Sequence, residues 1–146
     1  NINLVAVSTP YLEGDDGLVE MTDSIINSLQ QKTNELDGYW LSSGPLAESN
    51  GLVTKVKKAT GLLPLFAESI SSVKEGALLG VVSEPASIGK SAARKAKLIL
   101  EKKSARDIPV DKMDTYTVAV NVSTAIKLQL PIPSNYLKLS KKHVYQ

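Results

Sequence analysis

The apolar and polar positions of this chain change period several times, and each change marks an element. Residues 2–7 alternate apolar with polar side chains, the period of a half-buried strand. Pro10 and an acidic loop at residues 13–17 end it. Met21, Ile25, Ile26 and Leu29 recur near every third or fourth position, which predicts a helix over residues 19–31. Tyr39, Trp40 and Leu41 make a short strand over 37–41, and Ser42-Ser43-Gly44-Pro45 turns the chain. A second helix is expected over 46–59, weakened by Gly51, then a strand over 62–67 after Gly61. Residues 76–82 read as a Gly-Ala-containing strand.

The most regular helix is expected over 86–103, beginning at Gly89-Lys90-Ser91 and its surroundings. Ile88, Ala92, Ala96 and Ile99 form one apolar stripe, with Lys90, Arg94 and Lys97 on a solvated face. A linker at 107–110 contains Pro109. From Tyr116 the chain alternates again: Tyr116, Val118, Val120 and Val122 face one way, Thr117, Ala119 and Asn121 the other. In the tail, 134–146, Tyr136, Leu137 and Leu139 suit a short helix. Strand alternating with helix predicts an α/β fold with a mainly parallel sheet and crossover helices.

Composition narrows the functional classes. The chain has 146 residues, enough for one domain or one lobe of a larger protein. Seventeen basic and 15 acidic residues leave a net charge of only +2, which gives no concentrated basic face for nucleic acid. There is no cysteine, hence no disulfide frame and no thiol nucleophile. No apolar run approaches the roughly 20 residues that span a bilayer. With no initiator Met and no signal peptide, Asn1 reads as the edge of a mature protein or a fragment.

Catalytic signatures are lacking. His143 is the single histidine, so neither a Ser-His-Asp triad nor a histidine-rich metal site is expected. Glu13, Asp15 and Asp16 read as a charged loop, with calcium the alternative. Glu84-Pro85-Ala86-Ser87-Ile88-Gly89-Lys90-Ser91 fits a nucleotide-binding P-loop except at its first position. That exception matters: a glycine there lets backbone amides wrap a phosphate, whereas Glu84 repels it. Pro85 also removes one amide donor. The expected roles are Pro85 in the first helical turn and Glu84 against the helix's positive end. No cofactor, catalytic residue or metal ligand is assigned.

Binding has better candidates. In open α/β sheets, ligands lie beyond the carboxyl ends of the strands. Those ends carry Ser8-Thr9, Ser42-Ser43-Gly44, Glu68-Ser69 and Ser83-Glu84. Ser42, Ser43, Glu68, Ser69 and Ser83 are the candidate ligand-binding residues as a set at the cleft rim, although any one of them taken singly reads first as a turn former or helix cap. Tyr39 and Trp40 face opposite sides of their strand. Trp40 is expected in the core, stacking on a ligand being the alternative.

The order of elements from Leu63-Pro64-Leu65-Phe66-Ala67-Glu68-Ser69, through Gly89-Lys90-Ser91 and Asp107-Ile108-Pro109-Val110, to Ala125-Ile126-Lys127-Leu128-Gln129-Leu130-Pro131-Ile132-Pro133 carries a resemblance. It resembles the carboxy-terminal half of ABC-transporter substrate-binding proteins of the two-lobed, type I periplasmic class, from Asp37 to Pro133. The resemblance implies a periplasmic-binding-protein-like lobe that closes on a small solute and presents it to a membrane permease, from the periplasm or a lipid anchor. It implies that residues up to about Val73 and from about Thr115 build this lobe, while 76–104 return to the other. Gly44-Pro45-Leu46 stand where the family commonly has Asp-Asn-Thr, Glu68-Ser69 match its Ser-Asp, and Pro85-Ala86 stand in the region of its paired tyrosines. Those differences remove much of the usual amino-acid-type ligand chemistry. A sensory input domain on the same fold is the alternative, and an enzyme on a doubly wound sheet a third. The apolar stripe of residues 88–99 would lack its partner in an isolated lobe. Either it folds back, or two chains exchange it into a homodimer through hinges at 71–75 and 103–115.

Overall fold

A computed structural model describes residues 2–112 and 115–146. Its elements are α1 (Gly14–Lys32), β1 (Tyr39–Leu41), α2 (Leu52–Thr60), β2 (Leu65–Ala67), α3 (Ile70–Glu75), β3 (Leu79–Ser83), α4 (Pro85–Leu100), β4 (Tyr116–Asn121), α5 (Val122–Lys127), α6 (Ser134–Ser140) and β5 (Val144–Tyr145). Short 3-10 turns follow α1 and α4.

Among the described residues the strands form one sheet in the order β1-β2-β3-β4-β5. β1, β2 and β3 run parallel, β4 is antiparallel to β3, and β5 is parallel to β4. The fold is therefore α/β with a mostly parallel sheet. Right-handed crossovers advancing in one direction place α2 and α3 on the same face. The core forms there: Tyr39, Leu65 and Ala67 from the strands meet Leu52, Val53 and Val56 of α2 and Val73 of α3. Ile26 and Leu29 of α1 close its flank. On β4 the buried set includes Thr117, Ala119 and Asn121, while Tyr116 is exposed.

Polar ties fix the helix ends. Ser69 caps α3, its Oγ accepting from the Ser72 amide at 3.1 Å. Asn121, 3% exposed, caps α5 through the Thr124 amide at 2.8 Å. Its Nδ2 donates to the Val73 carbonyl at 2.9 Å, joining the end of β4 to α3. Lys57 Nζ donates to the Gly76 carbonyl at 2.9 Å, and Thr124 Oγ1 donates to the same oxygen at 2.9 Å.

Several expectations change. Residues 2–7 form no strand. Alternation supplies a face, not a ladder, and among the described residues this segment pairs with no strand; it runs as a strap, tied further on by the Leu12 amide to Met21 Sδ at 3.3 Å. The second helix starts at Leu52, not at 46: Gly51 lies in the left-handed region, φ 84°, which a right-handed helix cannot continue. The 71–75 stretch is no hinge, because it is the body of α3 with Ser72 and Val73 buried. The other hinge stretch, 103–115, includes Met113 and Asp114, which lie outside the described residues, as does Asn1.

Trp40 is not core. Tyr39 takes the buried face of β1 and Trp40 is 62% exposed, because α1 and α2 cover one side of that strand. Gly89-Lys90-Ser91 is not a helix start either. α4 begins at Pro85, directly after β3 and its cap residue Glu84, so the three residues sit in a continuous helix without a phosphate-cradling loop. Finally, none of α4's residues is buried, and Ile88 and Ile99 are half exposed, so the stripe does not fold back on its own chain.

Candidate functional site

The carboxyl ends of β1 and β2 lie side by side because their register pairs Leu41 with Ala67. The next residues, Ser42-Ser43 and Glu68-Ser69, are therefore neighbours. The Glu68 amide donates to the Leu41 carbonyl at 3.3 Å, extending the pairing by one step.

Glu68 then bridges the two loops. Its Oε1 accepts from Trp40 Nε1 at 3.1 Å and its Oε2 from the Ser43 amide at 3.0 Å. These bonds, the Ser43 amide first and the Trp40 indole second, hold the carboxyl below its ordinary pKa, while partial burial opposes them. The clamp thus keeps a carboxylate ionised at the sheet end and orients the exposed indole. Each oxygen retains acceptor capacity for a further donor.

The five sequence candidates part company here. Ser42, Ser43 and Glu68 come together, and both serines are exposed. Ser69 adjoins them, but its hydroxyl is engaged as the α3 cap and with Ser71 and Ser72 Oγ at 3.0 and 2.8 Å. Ser83 stands apart. The β2–β3 register pairs Ala67 with Gly80, so Ser83 lies three residues, about 10 Å, beyond the end of β2. Beyond that point β3 is paired only with β4 among the described residues, Ser83 opposite Tyr116. Thr117 Oγ1 donates to Glu84 Oε1 at 2.9 Å, which anchors α4 to this ribbon.

Sequence reasoning missed Trp40 as a rim residue. The adjoining strand-end serines were a signal, but a lone Trp in a three-residue strand suits either face. It also missed the charged seam along α4. Asp111 accepts from Ser91 Oγ and from Arg94 Nη2 at 2.7 Å, and Lys95 Nζ donates to the Pro109 carbonyl at 2.7 Å. The Ser91 bond, then Arg94, lowers the Asp111 pKa. Among the described residues no cluster of three or more His, Cys, Asp or Glu side chains could hold a metal ion, and no helix is long and apolar enough to cross a membrane.

Residues 16–144 match the family model described as ABC transporter substrate binding protein. No curated protein matches significantly. Among solved structures, a conserved domain protein from Vibrio cholerae is similar at TM-score 0.69 and 20% identity, over 86% of this chain and 42% of that one. An ABC domain from Streptococcus pneumonia, in complex with L-Trp, gives 0.67 and 20%, over 86% and 43%. An open, ligand-free substrate binding protein with adhesive properties from Clostridium difficile gives 0.60 and 21%, over 85% and 40%. The chain thus spans less than half the length of each, and at these identities the likeness is one of fold.

Proposed function

Because the chain belongs to the ABC transporter substrate binding protein family, we propose that it is one lobe of a two-lobed receptor that holds a small solute without making or breaking bonds. The receptor works at the outer face of the cytoplasmic membrane, periplasmic or lipid-anchored, and delivers the solute to a membrane permease. The observation that carries this reading is the Glu68 clamp, an ionised carboxylate beside an exposed indole and an exposed serine pair at the carboxyl ends of adjacent parallel strands.

Ser42, Ser43 and Glu68 contact the solute, Ser69 positions Glu68 by capping α3, and Ser83 faces the crossing between lobes. A carboxylate beside an aromatic face suits a solute with a cationic or amino group and a flat apolar part. The L-Trp held by the Streptococcus protein is of that kind, which makes it the first solute to try.

Residues 76–104 belong to the second lobe on this reading. Ala77 still packs in the core, but the residues beyond Gly80 leave it along the β3–β4 ribbon, and α4 carries its apolar stripe outward with nothing buried. In the 146-residue chain by itself a second copy covers that stripe, as a homodimer. A stripe left in water forfeits roughly 25 cal/mol per Å² of apolar surface. Light scattering at micromolar concentration that finds monomer alone removes the dimer.

The binding test is calorimetry on the protein carrying both lobes, with L-Trp and a panel of amines and amino acids. Glu68→Ala should weaken binding about tenfold or more, the scale of a lost charge-assisted bond. A solute that binds with Ser42, Ser43 and Glu68 all replaced and no loss of affinity would refute the site.

A further inference from the structure

The rim that carries the Glu68 clamp opens into a cavity of about 440 Å³. Trp40 and Ser43, which bond to Glu68, also line this cavity together with Ser42, so clamp and cavity are two parts of one site. The deeper walls are apolar. Val5 and Val7 of the amino-terminal strap stand on one side, Met21 and Ile25 of α1 on the other. The volume lies in the lower part of the range for small-molecule pockets.

The two parts ask for different chemistry. At the mouth stands an ionised carboxylate, held so by the Ser43 amide and the Trp40 indole. A cation is attracted there, and a second carboxylate is repelled by a charge of its own sign. Within, no Asp, Glu, Lys, Arg or His side chain lines the walls. A charge carried inside would lose its hydration and find no counter-charge. The polar side chains that the strap adds, Ser8 and Thr9, are neutral. The strap itself pairs with no strand among the described residues, and Ile2 and Leu4 are 90% and 84% exposed. A wall held without ladder bonds can shift to close on bodies of different length.

We propose that the solute is a primary amine without a carboxylate, its cation on Glu68 and its apolar body in the cavity against the strap. This rests on the reading of Glu68 given above and narrows it. It also adds the strap, through Val5 and Val7, to the elements that bind the solute.

The test titrates the 146-residue chain with benzylamine, phenethylamine, 3-phenylpropylamine and L-phenylalanine. Trp40 is the sole tryptophan and its indole is bonded to Glu68, so its emission follows binding. The amines should saturate, each added methylene tightening binding about fourfold. L-phenylalanine should bind at least about tenfold more weakly than phenethylamine, which differs from it only by the carboxylate. Glu68→Gln should weaken all three amines about tenfold and leave the methylene gain. Val5→Asn combined with Val7→Asn should remove that gain and leave the dependence on Glu68. The methylene series on the unmutated chain needs no variant to fold. Amines that weaken in Glu68→Gln yet show no methylene gain, or a gain untouched by the asparagine pair, would leave the clamp standing and overturn the role of the cavity. L-phenylalanine bound as tightly as phenethylamine would overturn the exclusion of the carboxylate. Amines that do not saturate, or that bind equally well to Glu68→Gln, would overturn the clamp and this inference with it.

Discussion

Asn121→Ala should be among the most damaging single substitutions in this chain, and its cost divides into parts. Asn121 is 3% exposed at the end of β4 and makes two side-chain bonds. Its Oδ1 caps α5, and losing such a cap costs about 1 kcal/mol. Its Nδ2 serves the Val73 carbonyl; an unsatisfied buried group costs about 1–3 kcal/mol. That carbonyl also accepts from the Gly76 amide at 3.1 Å, so the lower half of the range applies. The sum is about 2–3 kcal/mol, a large share of the roughly 5–15 kcal/mol by which domains are stable. With a urea slope of about 2 kcal/mol/M, the unfolding midpoint should fall by about 1–1.5 M. Asn121→Ser keeps a capping hydroxyl but cannot reach Val73, so it should recover about 1 kcal/mol. A loss below about 0.5 kcal/mol for the alanine variant would refute the assignment of these bonds. A serine variant no better than alanine would show that the cap is not one of the parts.

Glu68 has a folded pKa below its unfolded one, so its contribution is present above the ordinary carboxylate range and is lost as pH falls through the lower folded value. Trp40 emission should show an acid transition below that range, absent in Glu68→Gln; a transition common to both proteins assigns it elsewhere. Lys57 is shifted down, first by burial and then by the charge of Lys127. Its unfolded form binds more protons, so stability should rise as pH climbs from the folded value toward the ordinary lysine pKa, and Lys57→Met should flatten that rise in pH-dependent denaturation. Gly80→Ala should cost about 1–3 kcal/mol, because its Cβ would stand 2.8 Å from Val73 Cγ2 and 3.1 Å from the Ala67 carbonyl oxygen; unchanged thermal stability would contradict that close packing.

Helices with a clear apolar period were legible before any coordinates. α1 and α4 fall where residues 21–29 and 88–99 placed them, and Pro85 and Glu84 open α4 as first-turn and cap residues. Short elements were less so. In a three-residue strand such as Tyr39–Leu41, period cannot tell which of Tyr39 and Trp40 is buried; the packing of α1 and α2 on one face decides it. Residues 2–7 carry a strand's alternation, but a ladder needs a partner at the right register, which local sequence does not encode. Likewise Ser42, Ser43, Glu68, Ser69 and Ser83 were all read as strand-end residues. Only the pairing of Leu41 with Ala67, and of Ala67 with Gly80, separates the three that meet from Ser83.

That same register separates stability from the periphery. β3 pairs with β2 at Leu79 and Gly80 and then, among the described residues, continues with β4 alone, so from Val81 onward it is part of a two-stranded ribbon. Isolated ribbons of this kind are marginal. The Thr117–Glu84 contact ties α4 to this ribbon and Asp111 ties α4 to the segment that follows it, both through polar groups, whereas the buried core is assembled from α2, α3, β1, β2, β4 and Ala77, with α1 on its flank and without α4. The Glu68 clamp sits on the core side of that boundary, between β1 and β2. Its geometry is therefore set by the same contacts that stabilise the fold, while α4 can change its surroundings without disturbing it. On the proposed two-lobed reading, one rim fixed by the core and one segment projected away from it would let this lobe hold half of a site while reaching across to the other.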